Sequence, residues 1–269
     1  MNPFERIVPL GIPLAWLNLI QEKKRFAAAV AGIMFAVILM MFQLGLNAAL
    51  FTQVVSPHLL MRGEVVLTNP QYEYFGISRG FSVHRLVQAE ALPEVAQAMP
   101  IRLINLPLKH PETGRARDIL VIGFDPAEPL WRDDRIADQQ TQLKLPGNLL
   151  FDERSREIFG PFPELLEAEG AVASELNDSA VEVVGTVAIG ATFAADGNAL
   201  ASLETFREVF PGADSSQVAL GVLDLRPGAS PDAVAAELRD RLPDDVRVMT
   251  MTDFIASEKA YWGQRTPLG

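Results

Sequence analysis

The sequence predicts an α+β outer domain carried on one N-terminal membrane helix. Three observations lead there: an unbroken apolar run at Phe26–Phe51, strand–helix–strand patterns over residues 64–109 and 218–250, and a hairpin signal around His110–Gly114.

No Asp, Glu, Lys or Arg occurs from Phe26 through Met61. As a helix the 26 residues of the run extend ~39 Å, enough to cross a hydrocarbon layer of ~30 Å. Lipid offers no partner to the backbone, so such a span must satisfy itself as a helix. Arg6, Lys23, Lys24 and Arg25 precede it, and the next basic residue is Arg62. The positive-inside rule therefore places residues 1–25 in the cytoplasm and everything after about residue 52 outside it. A cleaved signal peptide fits less well, because the preceding segment is long and no small-x-small cleavage site follows the run. Leu14, Trp16, Leu17 and Ile20 give residues 13–25 an amphipathic pattern suited to the membrane surface. Within the run, Ala28, Gly32 and Ala36, and again Gly45 and Ala49, sit four apart, as do the polar Gln43 and Asn47. Small residues at that spacing let neighbouring membrane helices approach closely.

Residues 52–269 carry a net charge of −13, which repels nucleic acid and excludes that class of partner. The chain has no cysteine, hence no disulfide and no thiolate metal site. The helix is expected to continue through Thr52–Leu60 with a bend at Pro57. Strands are expected at Glu64–Thr68, Ile101–Lys109, Asp118–Phe124, Leu149–Asp152, Val181–Ile189, Val218–Leu225 and around Val246–Thr250. Short helices are expected at Val83–Ala91, Glu153–Phe159, Glu164–Glu169 and Leu203–Val209, with Pro126–Lys144 irregular. Ser230-Pro231 starts a further helix, with an N-cap side chain and a proline at the first helical position. Thr250-x-x-Asp253 opens a last one, Met251–Trp262. The expected organisation is a cytoplasmic segment (1–25), a span (26–51), a base lobe in two parts (52–146 and 215–269) and an inserted second lobe (147–214). The final helix is expected to return beside Thr52–Leu60 and reach the membrane, with Trp262 near the level of Phe51.

Candidate chemistry is sparse. Gly76-Ile77-Ser78-Arg79-Gly80 has the G-x-S-x-G form, but the preceding residues read as a loop, and no strand–turn–helix context supports a nucleophile elbow. His58, His84 and His110 lack metal-ligand spacing and read as ordinary surface or loop histidines. Asp133-Asp134 and Asp244-Asp245 read as solvated turns without the glycine and glutamate of a calcium loop. Asn177-Asp178-Ser179 is a formal glycosylation sequon, with Asn177-Asp178 marking a turn, and no phosphate-binding loop sequence occurs. No catalytic, cofactor-binding or metal-ligating residue is assigned.

Several blocks carry a family resemblance. They are Leu14-Ala-Trp-Leu17 with Glu22-Lys-Lys-Arg25, Ile119–Pro126, Leu150–Pro161, Ala194-Ala-Asp-Gly-Asn198, Glu258-Lys-Ala-Tyr-Trp262 and Thr266–Gly269. Together they resemble the DevC-type permease subunit of cyanobacterial ABC exporters, a group similar to the wider MacB and FtsX permeases. The resemblance implies a two-lobed MacB-like periplasmic core domain after the first membrane helix, and three further membrane helices beyond Gly269. It also implies an ATPase on a separate ABC subunit, a periplasmic adaptor protein, a TolC-like outer-membrane channel and a second permease copy in an inner (plasma) membrane. Glycolipid export is the cargo that the group suggests. The alternative is a single-pass, membrane-anchored periplasmic sensor or scaffold without transport function.

Overall fold

The computed structural model describes residues 23–76 and 79–265, apart from the side chains of 46–52 and 264–265. Two compact units result, Met1–Leu50 and Phe51–Gly269. In the first, helix α1 (Lys23–Val54, continuing into the second unit) holds the apolar run. Its Lys23–Gly45 portion has a mean hydropathy of 2.3 and none of it is buried. Ile33, Phe35, Met41 and Phe42 all stand about two-thirds exposed, from 65% to 70%. By length and composition this helix is apolar enough to cross a membrane. A Cβ added at Gly32 or Gly45 would meet nothing, so both small-residue positions are open. Of the amphipathic segment expected at residues 13–25, residues 13–22 lie outside the described residues.

The second unit begins at Phe51, in the last turn of α1. Helix α2 (Ser56–Leu60) restarts after Val55, with Pro57 in its first turn, so the expected bend is a break of one residue. Proline has no N–H to give and is tolerated there. The strands are β1 (Val65–Thr68), β2 (Phe81–Ser82), β3 (Val95–Lys109), β4 (Ala116–Phe124), β5 (Asn148–Asp152), β6 (Val172–Leu176), β7 (Ser179–Val187), β8 (Asn198–Ser202), β9 (Gln217–Val218), β10 (Leu220–Leu225) and β11 (Arg247–Thr250). Among them lie helices α3 (His84–Glu90), α4 (Asp134–Gln139), α5 (Phe162–Glu169), α6 (Leu203–Val209), α7 (Pro231–Arg241) and α8 (Met251–Arg265).

Nine strands form one sheet in the order β11-β1-β10-β3-β4-β8-β5-β7-β6. The first three pairings, which join the strands of β1–α3–β3 and β10–α7–β11, are antiparallel. Each strand–helix–strand pattern is thus a split βαβ unit, its parallel strands separated by one strand of the other. β1 shows why the layers form. Val65 and Leu67 pack with Leu86 and Ala89 of α3 and Val234 and Leu238 of α7. Val66 points the other way, into a core with Met99, Ile101, Val222, Met249 and Phe254 of α8. The period of two is the strand's own geometry. Helix α3 approaches β10 so closely that a Cβ on Gly221 would collide with Leu86.

β3 is 15 residues long and serves both ends of the sheet. Its first part pairs with β10, and its second, from Arg102, pairs with β4. Beyond β4 the sheet continues through β8, β5, β7 and β6 and closes back on β3 at Leu108↔Leu176. Phe151, Phe159, Phe162 and Phe206 fill this second core.

The structure corrects several expectations. Glu153–Phe159 is not a helix; only a tight turn at Glu157–Phe159 is helical. The amides there are engaged elsewhere: Arg154 N–H bonds the Asp152 carboxylate at 3.1 Å, and Arg156 N–H bonds Asp196 O at 2.9 Å. The 126–144 stretch contains α4, capped by Asp133, whose carboxylate accepts from Arg135 N at 2.9 Å. That aspartate is a cap and not merely a solvated turn residue. β6 and β8 were unforeseen. The Asn177-Asp178 turn is present, both residues at positive φ (52° and 62°), joining β6 to β7.

Candidate functional site: the α2–α8 junction

The polar residues placed most unusually lie where α2, the 72–75 loop and α8 meet. Helix α8 starts as its sequence prescribes, with Thr250 Oγ1 accepting from Asp253 N at 3.1 Å. Phe254 and Glu258, one helical turn apart, then share a face and are 0% and 1% exposed. His58 of α2 is 1% exposed, its ring set edge-on between Phe75 and Phe254 with centroids 4.9 Å from each. Tyr72 donates its hydroxyl proton to Glu258 Oε1. His58 Nε2 lies 3.8 Å from the same oxygen.

The electrostatics follow from burial. With aromatic rings on both sides, His58 is pushed down to about 3 and is neutral. Burial pushes the Glu258 carboxyl up to about 7, against the opposing pull of Tyr72, the Phe75 amide and the Trp262 indole. Tyr72 is held well above the usual phenol range by the same burial and by Glu258. Both His58 nitrogens and Glu258 Oε2 lack a hydrogen-bond partner. Buried polar atoms without partners are costly, so this trio is under tension. The expectation that His58 is a surface or loop histidine is therefore corrected: it is a buried helical residue. The proline-started turn of α2 aims it inward between two phenylalanines.

Around the outer end of α8, Tyr74, Phe193, Tyr261 and Trp262 form a half-exposed aromatic group. Trp262 stands 5.1 Å from Tyr74 and 5.5 Å from Phe193 between ring centroids. Tyr74 and Tyr261 are 4.9 Å apart.

No family model matches the chain, and no curated protein matches it. Among solved structures, it is similar to the periplasmic region of MacB from Actinobacillus actinomycetemcomitans. That similarity has 11% identity over 77% of this chain and 95% of the other, with a TM-score of 0.49. It is also similar to the extracellular domain of the noncanonic ABC-type transporter YknZ from Gram-positive bacteria, with 12% identity over 70% and 98% of the two chains and a TM-score of 0.46.

The remaining sequence candidates do not converge. Ile77 and Ser78 of the G-x-S-x-G stretch lie outside the described residues. His84 is exposed at the start of α3. His110 sits in the β3–β4 turn, where its Nδ1 accepts from the amides of Glu112 and Thr113 at 3.2 and 3.3 Å. Among the described residues no group of three or more His, Asp or Glu side chains could hold a metal ion. Asp245 holds Arg85 of α3 in a two-pronged bond at 2.8–2.9 Å, which pulls its carboxyl below the ordinary range. It ties the 242–246 turn to α3 while itself remaining an exposed turn residue, as expected.

Two residues that the sequence left unassigned organise the far end of the sheet. Asp152, at the end of β5, is 0% exposed, and its carboxylate accepts from Arg154 N, Ile189 N, Gly190 N and Asn198 Nδ2. Asn198, also 0% exposed, donates in addition to Gly190 O at 3.0 Å. Both fall within the blocks that carry the family resemblance. What the sequence lacked was a sign of burial: Asp152 closes an expected strand but carries no mark of its four donors, and Asn198, after Gly197, reads as a loop residue.

Proposed function

We propose that the chain is part of the membrane-spanning subunit of an ABC exporter related to the MacB and FtsX permeases. The observation that carries this is the direct covalent run from a long apolar helix into a folded α+β unit, in which His58 of α2 packs against Phe254 of α8 and beside Glu258. A helix pair so placed can pass motion from the membrane to the sheet. Lys23, Lys24 and Arg25 at the start of α1 support a cytoplasmic N-terminus and an outer domain across the inner membrane. In this reading residues 147–214 are an inserted lobe on a base of 52–146 and 215–269. β4 and β10 share one sheet, as that division requires, and the strands of 147–214 extend the same sheet. Trp262 and its aromatic neighbours suit the membrane–water interface, where α8 would return.

The polypeptide performs no covalent chemistry in this proposal. An ABC ATPase hydrolyses ATP on the cytoplasmic side; a periplasmic adaptor, a TolC-like channel and a second permease copy complete the export path, with glycolipid as the cargo that the sequence resemblance suggests. The test is purification of the full-length protein from its own membrane in mild detergent. A stoichiometric nucleotide-binding subunit is expected to accompany it. Recovery without one at saturating yield would favour a single-pass sensor or scaffold.

A further inference from the structure

The trio at the α2–α8 junction combines features that a merely structural contact would avoid. Its members come from three separate segments: His58 from α2, Tyr72 from the loop after β1, and Glu258 from α8. All three are at least nine-tenths buried. Tyr72 donates to Oε1 of the carboxyl, the Phe75 amide and the Trp262 indole also reach the group, and Oε2 has no hydrogen-bond partner. A buried pair of apolar residues would hold the helices together at less cost.

We propose that Glu258 is a proton-operated latch: with its proton in place it closes α8 onto α2 and the 72–75 loop, and losing that proton loosens the contact. The titratable groups that face it are His58 from α2 and Tyr72 from the loop. Phe75 and Phe254 wall the site, and Lys259 on its own helix is exposed. His58 is neutral, so no buried cation offsets the charge when Glu258 ionises. Tyr72, the Phe75 amide and the Trp262 indole favour the ionised form, but burial outweighs all three, and Oε2 has no hydrogen-bond partner of its own. Burial raises the carboxyl to about 7, so it changes state near neutral pH. The latch is a property of the second unit and holds whatever partners the chain has.

The experiment is amide hydrogen exchange on the full chain in detergent at pH 5.5 and 8.5, corrected for intrinsic exchange. Opening changes the carboxyl from about 7 to its ordinary 4.5, so α2 and α8 should open about 30-fold more often at the higher pH, relative to β3. Glu258→Gln, a neutral stand-in for the protonated acid, should abolish that difference. Tyr72→Phe removes a donor that favours ionisation, so it should move the midpoint upward and provides an independent reading if the glutamine variant misfolds. Glu128 is also pushed up to about 7, so Glu128→Gln is the control and should leave the α8 response intact. No pH response in the natural protein, persistence in Glu258→Gln, or loss in Glu128→Gln would overturn the latch.

Discussion

Replacing Asp152 with alanine should destabilise the second unit by about 3 kcal/mol. The carboxylate is 0% exposed and takes four donors, with Gly190 N at 2.8 Å, Ile189 N at 3.0 Å, Arg154 N at 3.1 Å and Asn198 Nδ2 at 2.7 Å. Not all of them would be stranded. Arg154 is exposed and its amide can turn to water, and Asn198 keeps Gly190 O at 3.0 Å. The amides of Ile189 and Gly190 remain, and a buried donor left without a partner costs about 1–3 kcal/mol. In a unit of this size each kcal/mol lowers Tm by about 2–4 °C. The assay is thermal unfolding of the full chain in detergent, followed by near-ultraviolet circular dichroism. Asp152→Asn should recover less than half of the loss, because its amide would present N–H groups to other N–H groups. A loss below about 0.5 kcal/mol for the alanine variant would refute the claim that this carboxylate organises the 188–198 loop.

Three further outcomes are expected. Gly221→Val should lower the denaturant midpoint by the equivalent of about 1–3 kcal/mol, because its side chain collides with Leu86; no change would mean that α3 is not seated on β10. The natural chain has no cysteine, so single cysteines report topology cleanly: Asp240→Cys should react with an impermeant maleimide on intact inner-membrane spheroplasts, and Lys24→Cys only after permeabilisation. The reverse pattern would invert the orientation. Glu128 and Glu258 are both raised from 4.5 to about 7 in the folded chain, so their contributions are fully present below about pH 4.5 and are lost as pH rises through 7. Unfolding free energy should therefore fall between pH 5 and 8. Glu128→Gln should remove about 1–2 kcal/mol of that fall, after allowance for the group's partial exposure; an unchanged slope would contradict the burial argument.

What could be read from sequence alone had strong local grammar. Ser230-Pro231 begins α7, and the Ser230 hydroxyl caps Ala233 N at 3.4 Å. Leu203–Val209 is helical over the stated residues, and the α1 apolar run needs only length and composition. What escaped depends on distant partners. β8, Asn-Ala-Leu-Ala-Ser, has no β-branched residue and is a strand because β4 and β5 pair with it from both sides. β6 alternates weakly and is held by β7 and β3. The α2–α8 trio was illegible for a similar reason: His58 and Glu258 are 200 residues apart, and only the folded sheet brings them together.

The claim that ATP hydrolysis moves the outer unit is tested most directly by a distance measurement. Leu59 of α2 is 53% exposed and Glu167 of α5 is also exposed, so each can carry a spin label with little disturbance. The Leu59→Cys, Glu167→Cys protein would be labelled in the full-length assembly with its ATPase and examined by double electron–electron resonance, nucleotide-free and trapped with ATP and vanadate. The account predicts a shift of several ångströms in the distance distribution on trapping. Identical distributions in the two states, in an assembly that hydrolyses ATP normally, would contradict it.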